Sequence, residues 1–177
     1  MRIFIALDFN ELKDHLNRIQ NKIDKSLANL KETSAFHLTL KFLGEVQEDK
    51  INKIKERLNE IKFEKFSLTL SQIGVFPNEN YIRVIWIGVN PKDRVIKLQE
   101  NIENSLKEFD FKKDFEFHPH ITLARVKFVK EKEKLVKNLK DIKIEEKTIE
   151  IKDFRLVKST LKPEGPVYED LEVFPLK

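Results

Sequence analysis

The chain has 177 residues, 40% of them hydrophobic and 36% charged, a balance that fits a folded globular protein and excludes a disordered or fibrous one. It contains no cysteine, which excludes disulfides, thiolate nucleophiles and cysteine-ligated zinc, and suits a cytoplasmic protein. Its 34 basic residues against 30 acidic ones leave a net charge of +4, a mild excess that favours an anionic partner such as a phosphate ester or RNA. No apolar run approaches the roughly 18 residues of a membrane span. The opening MRIFIALDFNELKDH has neither the apolar core nor the cleavage site of a signal peptide, so no membrane association is expected.

Taken in chain order, RIFIAL reads as a buried strand over residues 2–8. Leu12, Leu16, Ile19, Ile23, Leu27 and Leu30 recur at helical spacing, predicting one long helix with Asn10 as its N-cap and His15 on its solvent side. FHLTLKFL follows as a strand, and Ile51, Ile54, Leu58 and Ile61 mark a second helix. FSLTLSQIGVF and YIRVIWIGV form a hairpin around PNEN. The order then repeats. After YIRVIWIGV comes a helix with Asn90 as N-cap and Pro91 at its first position, striped by Val95, Leu98, Ile102, Leu106 and Phe109. HITLARVKF is the next strand and KEKEKLVKNLK the next helix, while IEIKDFRLVKSTL and VYEDLEVFPL close the chain as strands around KPEGP.

Both halves thus spell strand, helix, His-x-Thr-Leu strand, helix, strands. This predicts an α+β fold made by duplication, with two similar lobes at about 1–80 and 81–177. Each lobe is a mainly antiparallel sheet with two helices. No linker separates them, so they pack as a single compact domain.

The repeated tetrapeptide carries the chemistry. Successive side chains on a strand point to opposite faces, so His37 and Thr39 share one face and Leu38 and Leu40 the other. His120 and Thr122 stand in the same relation to Ile121 and Leu123. Two pseudo-symmetric lobes would bring two imidazoles and two hydroxyls to one cleft, where one histidine takes a proton and the other gives one. Arg125 would add a permanent positive charge, but it lies an odd number of residues from His120, so a bulge is needed to turn it onto the same face. An anionic tetrahedral centre among these groups describes metal-free phosphodiester cleavage.

HLTLKFLG and HPHITLAR resemble the two signature motifs of the 2H phosphoesterase superfamily, and more narrowly those of the RNA 2′,3′-cyclic phosphodiesterases, also called 2′-5′ RNA ligases. The resemblance extends over RIFIAL and STLKPEGPVYEDLEVFPL. It implies two lobes with an active-site cleft between them, terminal strands that exchange between lobes, and no metal or cofactor. It implies hydrolysis of RNA or nucleotide 2′,3′-cyclic phosphate to the 2′-phosphate, with reversible 2′-5′ joining, by a monomeric cytoplasmic enzyme. His37 becomes the proton donor, His120 the proton acceptor, Thr39 and Thr122 their partners and Arg125 a phosphate contact.

Two other readings stay open at this stage: a nucleotide-phosphate binding module without turnover, and a zinc hydrolase ligated by His37, His118 and His120. Pro119 otherwise shapes the strand entrance, with His118 at the rim. Among the aromatics, Phe4 and Phe76 are candidate base-stacking platforms and Tyr168 a candidate at the cleft rim. Phe42 is a further candidate for substrate contact, but it alternates away from His37 along its strand, which favours a packing role in the core.

Overall fold

The structure, a computed structural model, describes residues 1–113 and 116–177. Nine strands and four α-helices follow one another as β1 (Arg2–Asp8), α1 (Lys13–Asn21), β2 (Ala28–Glu32), β3 (His37–Glu45), α2 (Glu48–Asn59), β4 (Phe66–Asn78), β5 (Tyr81–Asn90), α3 (Lys92–Ser105), β6 (Ile121–Val129), α4 (Lys132–Asp141), β7 (Thr148–Ile151), β8 (Asp153–Lys162) and β9 (Gly165–Pro175) among the described residues. They form two antiparallel sheets, ordered β3-β1-β8-β9 and β2-β6-β5-β4-β7.

The duplication is visible in these orders. With the edge strand β2 set aside, β3-β1-β8-β9 matches β6-β5-β4-β7 position by position. In each half the first strand, β1 or β5, pairs with the His-x-Thr strand that follows its helix. One later strand of each half crosses over. β4, from the first half, pairs with β5, and β8, from the second, pairs with β1. A boundary near residue 80 therefore falls in the β4–β5 turn, inside one sheet, and each sheet draws on both halves. The helices lock this exchange, since α1 lies against β6 and α3 against β3. The inward sides of both sheets and the helical stripes merge into one continuous apolar core, as the alternating and 3.6-residue patterns require.

Several sequence expectations need correction. The first helix ends at Asn21, and Leu27 and Leu30 lie beyond it, Leu30 within β2. The Asp24 carboxylate accepts the backbone N–H and the hydroxyl of Ser26, a local turn that competes with helix continuation. Asn10 is not a cap. Its side chain donates to Asp8 and accepts the Phe36 N–H, tying the end of β1 to the entrance of β3. Helix α3 begins one residue late, with extended Pro91 as its N-cap and Asn90 still in β5. Ile61 and Phe109 lie outside the helices assigned to them, yet still pack on the core.

IEIKDFRLVKSTL is two strands, β7 and β8, in different sheets. The sequence carries the reason, because the buried positions switch from odd (Ile149, Ile151) to even (Phe154, Leu156) across the crossing. His15 is not solvent-facing but 6% exposed. It packs 3.8 Å from Glu145, and burial lowers its pKa.

Candidate active site

His37 is the first residue of β3, and His120 immediately precedes β6. Leu38, Leu40, Ile121 and Leu123 are buried, while His37, Thr39, His120 and Thr122 are half-buried, as the alternation predicts. β3 and β6 approach one another across the molecule, so the two motifs share a cleft.

Both strands carry a bulge just past their threonine. In β6 the pairing with β5 slips between Thr122, opposite Trp86, and Ala124, opposite Ile85. Leu123 and Ala124 are therefore both buried, and Arg125 emerges exposed. This is the turn onto the cleft face that the spacing alone left unexplained, and the positive charge of Arg125 acts on both His37 and His120. In β3 the slip lies between Thr39, opposite Ala6, and Lys41, opposite Ile5. Phe42, three residues after its threonine as Arg125 is after Thr122, swings onto the cleft side. The expectation of a core role is thus corrected, since Phe42 is 59% exposed and its ring lies 6.0 Å from that of Phe4. Lys41 takes the inner position instead, 1% exposed, with its ammonium on Glu103 at 2.7 Å and the Lys112 carbonyl at 3.1 Å. A buried cation with both partners in place fastens the bulge to α3.

The β6 bulge has its own clamp, which sequence reasoning missed. Gln20 of α1 donates from Nε2 to the carbonyls of Thr33 and Leu123, both at 2.8 Å. Thr33 donates its hydroxyl to the Thr122 carbonyl at 2.8 Å and its backbone N–H to that of Leu123 at 3.0 Å. The position of Gln20, one turn after Leu16 and beside Ile19 on the helix stripe, was the available signal, because a buried amide requires partners.

Each histidine sits among aromatic rings. Phe4 and Tyr168 lie 4.9 and 5.2 Å from His37, centre to centre. Phe76 stands edge-on to His120 at 4.8 Å, and Trp86, which the sequence reading did not select, lies 6.1 Å from it. The indole rests over Gly74, where an added Cβ would come within 2.2 Å of the ring. A side chain at that position would expel Trp86 and with it one wall of the His120 site.

The two imidazoles differ electrostatically. His120 donates from Nδ1 to the His118 carbonyl at 2.6 Å. A carbonyl can only accept, so the neutral ring carries its proton on Nδ1 and keeps the Nε2 lone pair for chemistry. Burial lowers the pKa of His120, and the His118 bond partly opposes this. His37 is lowered to about 4, by burial first and then by the charges of Arg125 and His120. Burial raises the Tyr168 pKa. His118 is exposed at the rim and contacts Glu116 at 3.0 Å, while Pro119 is buried at the strand entrance. Among the described residues, no three His, Cys, Asp or Glu side chains converge as metal ligands, so the three-histidine zinc set is not assembled.

The chain matches the model of the LigT like Phosphoesterase family twice, over residues 7–86 and 87–168. It is 40% identical over 174 residues to an RNA 2′,3′-cyclic phosphodiesterase of Methanocaldococcus jannaschii, covering 96% of this chain and 97% of that one. It is 37% identical over 180 residues to a protein of the same name from Archaeoglobus fulgidus, covering 98% and 99%. The fold is similar to that of TT0787 of Thermus thermophilus, with a TM-score of 0.82 and 29% identity over 99% of this chain and 98% of that one. The repeated His-x-Thr strands, their shared cleft and a family match over both halves lead to one conclusion: the chain belongs to the LigT-like phosphoesterases.

Proposed function

We propose that the protein hydrolyses the 2′,3′-cyclic phosphate of RNA ends or small nucleotides to a 2′-phosphate, without a metal. The observation that carries this is the pair of imidazoles in one cleft, one with its Nε2 lone pair fixed by the His118 carbonyl and both under the charge of Arg125. The name shared by the archaeal relatives supports it.

In this mechanism His120 Nε2 takes a proton from water as the water oxygen attacks phosphorus. The P–O3′ bond breaks, and His37 gives its proton to the departing 3′ oxygen. Thr39 and Thr122 donate hydroxyl hydrogen bonds to the non-bridging oxygens, and the Arg125 guanidinium offsets their developing charge. In the free protein His37 is neutral near pH 7, because its pKa is about 4. The bound phosphate supplies the negative charge that counters Arg125, so His37 acquires its proton as substrate binds. With an RNA 5′-hydroxyl in place of water, the same steps join a 2′-5′ bond. Phe4, Phe42, Phe76 and Tyr168 surround the two histidines as stacking surfaces for bases. The absence of cysteine supports a cytoplasmic setting, and the lobes, which exchange β4 and β8, act as one monomeric domain.

Incubation with RNA ending in 2′,3′-cyclic phosphate, in EDTA, tests the reading. A 2′-phosphate product at an undiminished rate is expected. A 3′-phosphate product overturns the geometry, loss of activity in EDTA indicates a metal hydrolase, and tight binding without turnover indicates a binding module.

Thr33 and Gln20 act as positioning residues. Thr33→Val removes a hydroxyl that holds the strand carrying Thr122 and Arg125, and is expected to raise KM about tenfold while changing kcat less. A fall in thermal stability with KM unchanged would make the clamp purely structural.

A further inference from the structure

Beside His37 the cleft opens into a small hollow, open to solvent, whose lining includes Phe4, Ala6, Val157 and Tyr168. Its floor is a small apolar cluster, Phe4, Ala6 and Val157, separate from the main core. These three lie in line on neighbouring strands, with Ala6 paired to Thr39 and Phe4 to Val157. Tyr168 forms a wall, its ring edge-on to Phe4 at 5.6 Å. The far end is polar, lined by Asp8, Asp170 and Arg155. An apolar slot with an aromatic wall and hydrogen-bonding groups at one end suits a flat heterocycle.

The polar end is rich in acceptors. Arg155 donates from Nε to Asp153 at 3.0 Å and from Nη1 to Asp170 at 2.8 Å, with Asp8 at 3.6 Å from Nη1. One guanidinium thus faces three carboxylates. The two further negative charges lie next to a cleft that must attract phosphate. Among the described residues, Arg155 Nη2 has no acceptor, and Asp170 uses only Oδ2 in these contacts. Asp8 Oδ1 is occupied by Asn10, which leaves Oδ2 toward the guanidinium. The end of the slot therefore offers two carboxylate acceptors and one spare guanidinium donor.

We propose that this hollow is the base subsite for the nucleotide carrying the cyclic phosphate, and that it selects guanine; the inference rests on the function proposed above. Guanine presents two adjacent donors, N1–H and N2–H₂, beside one acceptor, O6, the complement of Asp8 and Asp170 with Arg155 Nη2. Uracil presents one donor between two carbonyls, which would face the carboxylates. Cytosine and adenine each offer one amino group and fall between. A site built to hydrogen-bond a group rejects ligands lacking it, because its own polar groups are then left unpaired.

The test compares dissociation constants of 2′-GMP and 2′-UMP, a measurement independent of turnover, alongside kcat/KM for the four 2′,3′-cyclic nucleotides. Guanine is expected to bind at least about tenfold tighter than uracil. Asp170→Asn, which turns an acceptor into a donor, should bring the ratio to within about twofold of unity, with thermal melting as the check on folding. If that variant does not fold, Asp8→Asn reads the same ratio, and the wild-type preference decides the matter alone. Four cyclic nucleotides cleaved equally well, with equal affinities, overturn the base subsite and leave the proposed activity standing. Failure to cleave any of them overturns the activity, and the affinity ratio still decides the subsite.

Discussion

Replacing His120 with alanine is expected to lower kcat/KM for a 2′,3′-cyclic nucleotide by about 10²–10⁴-fold, the range for removing a positioned acid or base. The reason lies in the hydrogen bond from Nδ1 to the His118 carbonyl. It fixes the tautomer that leaves Nε2 as an acceptor. His37→Ala should cost a similar factor, because the leaving 3′ oxygen would then depart without a proton. The double variant should be little worse than either single one, since two groups that serve one transition state are not additive. Steady-state kinetics on the folded variants measure this, and activity within tenfold of wild type in either would sink the two-histidine mechanism.

The His37 variant also makes a stability prediction of definite sign. The folded-state pKa of about 4 lies below the ordinary value near 6.5. Above pH 6.5 the ring is neutral in both states and contributes nothing. As pH falls from 6.5 to 4 the unfolded chain takes the proton first, so the native state loses stability across that window. His37→Gln should therefore gain on wild type by on the order of 1–2 kcal/mol at pH 5 relative to pH 7, after allowance for partial solvent screening. Urea unfolding of the two proteins at both pH values measures the difference.

Replacing Arg125 with leucine is expected to cost about 10²–10³-fold in kcat/KM, as for removal of a donor that meets developing charge. It should also move His37. The Arg125 charge is the second cause of that residue's lowered pKa, after burial. Removing it should therefore raise the value above about 4, while burial keeps it below 6.5. Arg125→Lys retains the charge and loses the planar fork, so it should leave the His37 titration nearly unchanged while still weakening phosphate binding. Proton NMR of the imidazole reads the titration directly. A His37 pKa unmoved in Arg125→Leu would mean that the guanidinium does not reach the cleft.

Arg125 also marks where sequence reading stops. A strict alternation places it on the wrong face, and the bulge that corrects this is set by Gln20 and Thr33, residues 103 and 90 positions from Leu123. A hydrogen bond of that reach leaves no local pattern. The same limit governs Phe42. Its exposure follows from a bulge in β3, which the buried Lys41–Glu103 pair accompanies. Helix α1 was overextended for a different reason. Leu27 and Leu30 keep helical spacing by coincidence, and the decisive signal, the Asp24–Ser26 turn, is confined to a few residues. Trp86 escaped notice because nothing in its own strand distinguishes a core tryptophan from one beside His120. Gly74, which makes room for it, lies on another strand.

The sequence by itself determined the repeated order of strands and helices, the faces on which the two His-x-Thr pairs stand, and the family. These depend on side-chain period and on motif identity, which are local. Only the tertiary structure decided which strands cross between the halves, β4 and β8, the bulges that turn Arg125 and Phe42 onto the cleft, and the slot beside His37. Each of these is set by contacts between segments far apart in the chain, where packing and buried hydrogen bonds override the periodicity of any one segment.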